Sequence, residues 1–303
     1  LGLPKLFFEK QKKFWCKSMQ LMQKTIEMKQ IKKQVANQLA VCGIDDKSEA
    51  EWLIACVLGT RRTNLALIKS VNKKQAKKIL KATKKRCKGM PIDIIFGHTQ
   101  FFGHKFFVNR HVLCPRPETE LLTEWAIKWA KEHNANSMLD MCTGSGAIAI
   151  SAKLALPKVS VVGADISKKA LKTAKKNAKN LGAQVVFVHS NMFKNIQGHF
   201  DILVCNPPYI ATEQLKQLDK EVQNYDPQKA LDGGVDGLDF YRLIAVEAPK
   251  HLNAGAAIGL EVGFNQAEQV AKMLETNFEN IEILFDYNHI ARMVVATKRL
   301  THD

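Results

Sequence analysis

Asn206, Pro207, Pro208 and Tyr209 stand directly after a short apolar run, Ile202 to Cys205. That run reads as a buried strand in a mixed α/β pattern. Two prolines end any ladder, because each lacks an N–H and fixes φ near −65°. A rigid turn therefore holds one amide and one phenol at the end of a buried strand. In open parallel sheets, ligands bind at the carboxyl ends of the strands. The chemistry such a turn can do is specific. A planar amine or amide nitrogen has its lone pair conjugated away and is a poor nucleophile. The Asn206 side-chain oxygen and the Pro207 carbonyl can grip its two N–H bonds and stabilise positive charge appearing on nitrogen. Tyr209 can lie against the flat group and fix its plane. Positioning of this kind contributes roughly 7–11 kcal/mol, which makes a general base unnecessary for the transfer step. Taken alone, the four residues also fit a Pro-stiffened turn with a capping Asn.

A second constellation lies upstream. Asp140-Met141-Cys142-Thr143-Gly144-Ser145-Gly146 leads from a strand into a helix that begins Ala147-Ile148-Ala149-Ile150. Glycines there let backbone pass close to a ligand and permit tight strand-to-helix geometry. Asp165 ends the next strand at the offset where an acid reaches the ribose hydroxyls of an adenosine cofactor. A helix-capping acid before Ser167 is the bland alternative. Residues 144–149 satisfy the dinucleotide fingerprint G-x-G-x-x-A. Two observations favour a nucleoside without a pyrophosphate, namely S-adenosylmethionine. One is the Asn-Pro-Pro-Tyr turn, for which hydride transfer has no use. The other is the way the sheet ends.

The elements that must position these groups alternate as in a doubly wound sheet. Strands are expected at 137–141, 159–164, 184–189, 200–205 and 256–262. The last two, at 281–285 and 291–297, are joined by too few residues for a helical crossover, so they pair antiparallel. The usual strand order 3-2-1-4-5 puts the turn beside the glycine loop. Ahead of this domain, residues 19–90 read as helical, with Ile31, Val35, Leu39 and Cys42 on one helix face and Asp45 to Ser48 starting the next helix. Residues 91–113 turn Phe- and Gly-rich and read as extended segments forming a β-hairpin linker. The methyltransferase-like domain spans 114–303, opening with Cys114-Pro115-Arg116-Pro117-Glu118 at a helix start. Residues 1–18 read as a disordered extension without a secretory cleavage pattern.

Composition narrows the class. The 303 residues are 46% hydrophobic and 24% charged, which fits a globular protein with a core. No apolar stretch approaches the roughly 18–20 residues of a membrane span. Seven scattered cysteines without a Cys-x-x-Cys pair predict reduced thiols, a cytoplasmic location and no metal site. Cys142 and Cys205 read as small buried hydrophobes, and the lysines of 168–179 as a solvated face. The net charge of +16 is divided unevenly. Residues 1–113 hold 24 Lys and Arg against 7 Asp and Glu, whereas the remainder holds 21 against 22. Nine of these cations fall within 73–88. Such asymmetry suggests an acidic partner, with nucleoprotein the usual candidate, against simple solvation as the alternative. Nothing signals an oligomer, so a monomer is expected.

The chain resembles the HemK-type release factor glutamine methyltransferases from about residue 30 onward. The matching segments are Glu49 through Gly59, Gly97 through Gly103, Pro115-Arg116-Pro117-Glu118-Thr119-Glu120, Gly144-Ser145-Gly146, Asn206-Pro207-Pro208-Tyr209 and Ala230 through Leu238. Adenine-N6 methyltransferases share the Asn-Pro-Pro-Tyr turn, but not its combination with the proline-rich and Asp-Gly-Gly segments. The resemblance implies a seven-stranded, Rossmann-like class I S-adenosylmethionine-dependent methyltransferase domain behind a small helical domain that engages the release factor. It implies N5 methylation of the glutamine in a Gly-Gly-Gln loop of class I peptide chain release factors. Cys142, Thr143, Gly144, Ser145, Gly146, Asp165, Asn191, Met192 and Asn206 would contact the cofactor; Asn206, Pro207, Pro208 and Tyr209 would hold the glutamine. Three positions depart from the family pattern. Cys142 stands where Gly is usual, Asn191 where Asp is usual, and Asp226 where Glu is commoner. None removes a reacting group, so activity with altered cofactor affinity is implied. A ribosomal-protein glutamine methyltransferase, an adenine-N6 methyltransferase and a non-catalytic nucleoprotein-binding module are the competing readings.

Overall fold

The computed structural model describes residues 25–300; the expected extension over residues 1–18 lies outside them. The chain divides into two compact units, one ending at Phe96 and the other beginning at Gly97.

The first unit is helical. A short strand β1 (Thr25–Glu27) leads into helix α1 (Met28–Val41), followed by α2 (Lys47–Leu58). Ile31, Val35 and Leu39 are fully buried on one face of α1, as their spacing requires. Asp46 caps α2 by accepting the Ser48 N–H at 2.7 Å, and Gly59 closes it at φ +66°. Strand β2 (Ser70–Asn72) pairs antiparallel with β1 and delivers the chain to α3 (Lys73–Arg86). A reciprocal capping box starts α3. Asn72 Oδ1 accepts the Gln75 N–H and Gln75 Oε1 accepts the Asn72 N–H, each at 2.9 Å. Ala76, Ile79, Ala82 and Thr83 face inward, while Lys73, Lys74, Lys77, Lys78, Lys81 and Lys84 are exposed. Residues 94–96, expected to be extended, lie instead in a short helix α4 (Ile92–Phe96). Its turn closes when the Pro91 carbonyl accepts the Ile95 N–H, and Gly97 ends it at φ +73°. Apolar content alone could not separate a buried turn from a short strand.

The second unit opens with a hairpin of β3 (His98–Phe101) and β4 (His104–Phe107), then helix α5 (Pro117–Glu132). The order continues β5 (Ser137–Met141), α6 (Ala147–Ala155), β6 (Ser160–Asp165), α7 (Lys168–Leu181), β7 (Val186–His189) and β8 (Phe200–Cys205). After α8 (Lys220–Tyr225) and α9 (Asp239–Glu247) come β9 (Leu252–Glu261), α10 (Ala267–Leu274), β10 (Phe278–Phe285) and β11 (Ala291–Lys298). Seven strands form one sheet in the order β10-β11-β9-β8-β5-β6-β7. The five from β9 to β7 are parallel, and β11 and β10 add antiparallel. The expected strand order and antiparallel ending are both present. The chain leaves β5 toward β6 and β7, then returns to β8 on the other side. The crevice between the carboxyl ends of β5 and β8 is therefore the topological switch point.

Apolar layers cover both faces of the sheet. The hairpin is fastened to α7 by one buried side chain. Asn177 Oδ1 accepts the Phe107 N–H at 2.7 Å, and its Nδ2 donates to the Phe107 and Ser145 carbonyls at 2.9 Å. Among the described residues no helix is long and apolar enough to cross a membrane.

Close packing of α5 on the sheet rests on Gly259 in β9. A Cβ there would lie 2.4 Å from Trp125 Cζ3 and 2.9 Å from Leu122 Cδ1. Gly259→Ala must push the indole and its helix outward, at an expected cost of about 1–3 kcal/mol. A lowered urea midpoint is the expected result; an unchanged midpoint would contradict this packing.

Candidate active site

The switch-point crevice opens into a cavity of about 860 Å³. The loop after β5 forms one wall. Asp140, wholly buried at the strand's end, anchors that loop: its Oδ2 accepts the Thr143 hydroxyl at 2.6 Å and the Ala149 N–H at 3.0 Å. Its other oxygen has no partner among the described residues. Burial pushes the carboxyl up to about 7, against the pull of those two bonds. Cys142 takes the left-handed conformation at φ +61°, and Gly144 follows at +54°. The bend that glycine normally supplies is thus made by cysteine, with its sulfur 3.9 Å from that of Met192. Cys205 is fully buried; burial and the neighbouring Cys142 raise its thiol well above the usual range, so it behaves as a small hydrophobe.

Asp165, at the end of β6, is set by two backbone donors. Its Oδ2 accepts the Gly144 N–H at 2.9 Å and its Oδ1 the Ser167 N–H at 2.7 Å. Each oxygen keeps a lone pair beyond those bonds, and the residue borders the cavity. Burial raises its pKa, opposed by the Ser167 and Gly144 bonds. The cap of α7 is Ser167, whose hydroxyl accepts the Ala170 N–H, so Asp165 is not itself the capping residue.

The turn after β8 has no sheet partner and is held from outside. Residues 231–237 run alongside it. The Leu231 carbonyl accepts the Ile210 N–H at 2.9 Å, and the Ile210 carbonyl accepts the Gly233 N–H at 2.8 Å. Two glycines there make room for Tyr209. A Cβ on Gly233 would sit 2.8 Å from Tyr209 Cα, and one on Gly237 only 2.4 Å from the Tyr209 carbonyl oxygen. Gln266 closes the arrangement: its Nε2 donates to the Tyr209 carbonyl at 2.9 Å, while its Oε1 accepts the Gly263 N–H. Burial, with Glu261 next, pushes the Tyr209 phenol up to about 12, so it stays protonated at ordinary pH. Asn206 Nδ2 donates to Thr119 Oγ1 at 3.2 Å.

Most of the expected site residues meet at this cavity. Cys142, Thr143, Gly144, Ser145, Asp165, Asn191, Met192, Asn206 and Pro208 border it. Gly146, Pro207 and Tyr209 do not form its wall. Gly146 serves packing instead, since a Cβ on it would meet Ile150 Cδ1 at 2.8 Å and Ala174 Cβ at 3.1 Å. Pro207 is buried and Tyr209 half-buried behind the wall. Asp226, the shortened acid, reaches Arg116 of the proline-rich segment, with Nη2 to Oδ2 at 3.1 Å. Sequence reasoning assigned no role to Asp140, Thr119, Glu261 or Gln266. An acid inside the apolar run 256–262 was the available signal for Glu261, because a buried charge needs a reason.

Two family models match the chain: a PrmC N-terminal domain over residues 30–97 and a methyltransferase small domain over residues 119–224. A Bacillus anthracis release factor glutamine methyltransferase is 37% identical over 261 residues, covering 83% of this chain and 92% of that protein. A Geobacter sulfurreducens protein of the same name is 39% identical over 261 residues, covering 84% and 91%. Among solved structures, the hMettl16 catalytic domain in complex with the MAT2A 3′UTR hairpin 6 has a similar fold, with TM-score 0.53 at 14% identity. That likeness covers 78% of this chain and 86% of the other.

Gly237→Ala isolates the support of the turn. The clash falls on Tyr209 backbone, and φ at Gly237 is +80°. Methyl-transfer activity in a fully folded variant is expected to fall by about 10²-fold, since misplacement by ~1 Å suffices for that. Circular dichroism and a transfer assay check it; near-normal turnover would show that these contacts do not set the turn.

Proposed function

The chain belongs to the release factor glutamine methyltransferase family, and from that footing we propose that it methylates the side-chain N5 of the glutamine in the Gly-Gly-Gln loop of class I peptide chain release factors. S-adenosylmethionine is the methyl donor in this reading. The observation that carries it is the Asn206–Tyr209 turn seated across the switch point from the glycine loop, with Asn206 and Pro208 bordering the same cavity as Cys142 to Ser145.

The residues present fit that donor. The cavity volume lies within the roughly 300–1,000 Å³ of small-molecule sites. Asp165 offers two positioned carboxylate oxygens for ribose hydroxyls, and the loop Cys142 to Gly146 carries the backbone past them. Asn191 offers an amide oxygen for an adenine amine beside the apolar Met192. Bound there, S-adenosylmethionine supplies an electrophilic methyl carried on a sulfonium.

The chain's own task is to make a poor nucleophile react. Asn206 Oδ1 and the Pro207 carbonyl accept the two N–H bonds of the glutamine amide. Electron density is thereby held toward nitrogen, and the positive charge appearing there meets two oriented dipoles. Pro208 keeps the turn stiff. Tyr209, protonated, fixes the plane of the amide without bringing a charge. The match of residues 30–97 to the PrmC N-terminal domain supports a protein substrate over adenine. The first unit would engage the factor, and the lysine face of α3 supports an electrostatic component, including contact with nucleoprotein. A monomer is the state proposed in solution.

Labelled cofactor offered separately with release factor, ribosomal protein and DNA decides among substrates. Label is expected on the Gly-Gly-Gln glutamine, and Asn206→Ala should lower kcat by about 10²–10³-fold. Label on DNA, on ribosomal protein alone, or on a factor lacking that glutamine would overturn the proposal. Binding of the partner should also weaken steadily from low to high salt, as measured by titration at several ionic strengths. A flat response would reduce the α3 lysines to a solvated face.

A further inference from the structure

The turn's chemistry depends on which end of the Asn206 amide faces the cavity. Only the oxygen can accept from a substrate N–H; the nitrogen would repel it. Three side chains decide the matter. Asn206 lies at the carboxyl end of β8, and Glu261 is its register neighbour on β9, because Cys205 pairs with Leu260. Glu261 is buried, at 4% exposure, at the end of a strand whose inward neighbours are all apolar. Its carboxyl faces the Thr119 hydroxyl and the Asn206 side chain, and both lower its pKa. Its Oε2 has no partner among the described residues. Thr119 Oγ1, also buried, accepts an N–H from Asn206 Nδ2 at 3.2 Å.

A carboxylate accepts and never donates. Facing the Asn206 amide it can therefore take only an N–H, and Thr119 Oγ1 takes the other at 3.2 Å. We propose that Glu261 is a positioning residue: its ionised carboxylate, together with Thr119, occupies both N–H bonds of Asn206 and so leaves Oδ1 as the atom offered to the cavity. This deepens the functional proposal above and rests on it for the identity of the substrate amide. The arrangement is costly to keep. The guanidinium of Arg292 on β11, whose charge reaches Glu261, is already bonded to Asp286 at 3.0 Å. A buried carboxylate with one unpartnered oxygen destabilises the fold, so a role that a neutral residue could not fill accounts for its place there.

The arrangement is sensitive to pH. Burial pushes the Glu261 carboxyl up to about 7; the Thr119 bond opposes this, Glu118 on α5 adds to it, and Arg292 and the Asn206 bond lower it. Below that value Glu261 is protonated and becomes a donor, which an Asn206 amide turned end for end can satisfy through Oδ1. The productive orientation is thus fully held above about pH 7 and lost as pH falls. Tyr209 and Tyr241, whose hydroxyl donates to the Glu261 backbone carbonyl at 2.8 Å, are both pushed above their ordinary values and do not titrate in this window.

The test uses the full chain with release factor and cofactor, across roughly pH 6 to 9. Wild-type kcat is expected to rise with pH through about 7. Glu261→Gln should lower kcat by about 10²-fold, remove that rise, and leave the cofactor KM within about twofold. Thr119→Ser should retain activity, whereas Thr119→Val should lose it by about 10-fold. Glu261→Gln with wild-type kcat and the same pH profile would overturn the inference, as would Thr119→Val matching Thr119→Ser. A second arm needs no turnover: in asparagine-labelled wild-type protein, the Asn206 side-chain ¹⁵N signal should shift with a midpoint near pH 7, and not in Glu261→Gln. An unshifted signal contradicts the inference even if the substrate assignment fails; failure to label the release factor alone contradicts only that assignment.

Discussion

A turn containing two consecutive prolines cannot be held by a β-ladder, and most of what surrounds Asn206–Tyr209 follows from that constraint. The strand before it is secured by β5 and β9 on either side, but the ladder ends at Cys205. Everything beyond is fixed by contacts from elsewhere in the chain. Residues 231–237 supply backbone hydrogen bonds, Gln266 clamps the Tyr209 carbonyl, and Thr119 and Glu261 hold the Asn206 amide. Gly233 and Gly237 are bare because the Tyr209 backbone occupies the space of a side chain. The Asp-Gly-Gly segment, some 25 residues downstream of the turn, is in physical terms its missing ladder.

Two buried carboxylates stand beside the crevice, Asp140 below the glycine loop and Glu261 below the turn. Both are pushed up to about 7 by burial, and each leaves one oxygen without a partner among the described residues. Their positions are parallel: each stands at a strand's carboxyl end and fixes the segment that follows or adjoins it. Asp140 ties Thr143 and Ala149 across the loop it precedes. Glu261 ties Thr119 and Asn206 across two strands and a helix. The site is in this sense strained by desolvation rather than by covalent geometry.

Much of this was legible in the residues. The strands 137–141 and 200–205 have the expected bounds, because each is a short, mainly apolar run with Gly144 or Pro207 following within three residues. The order of the sheet followed from the same alternation, and the antiparallel end from the brevity of the 286–290 connection. Residues 94–96 misled because three apolar residues carry no period. The turn's support was opaque for a different reason. Contacts from Gln266, Gly237 and Glu261 to the turn span up to 57 residues in sequence and are made only by tertiary folding, and no local pattern announces them. Cys142 was visible as a departure from glycine; that it would adopt φ +61° rather than shift the loop was not.

The account's central claim is that Asn206 Oδ1 and the Pro207 carbonyl together grip a side-chain amide. A crystal structure with S-adenosylhomocysteine and a peptide bearing Gly-Gly-Gln measures it directly. Both acceptors should lie about 2.7–3.2 Å from the glutamine nitrogen. A glutamine amide bound elsewhere in the cavity, or held by neither acceptor, would contradict the account.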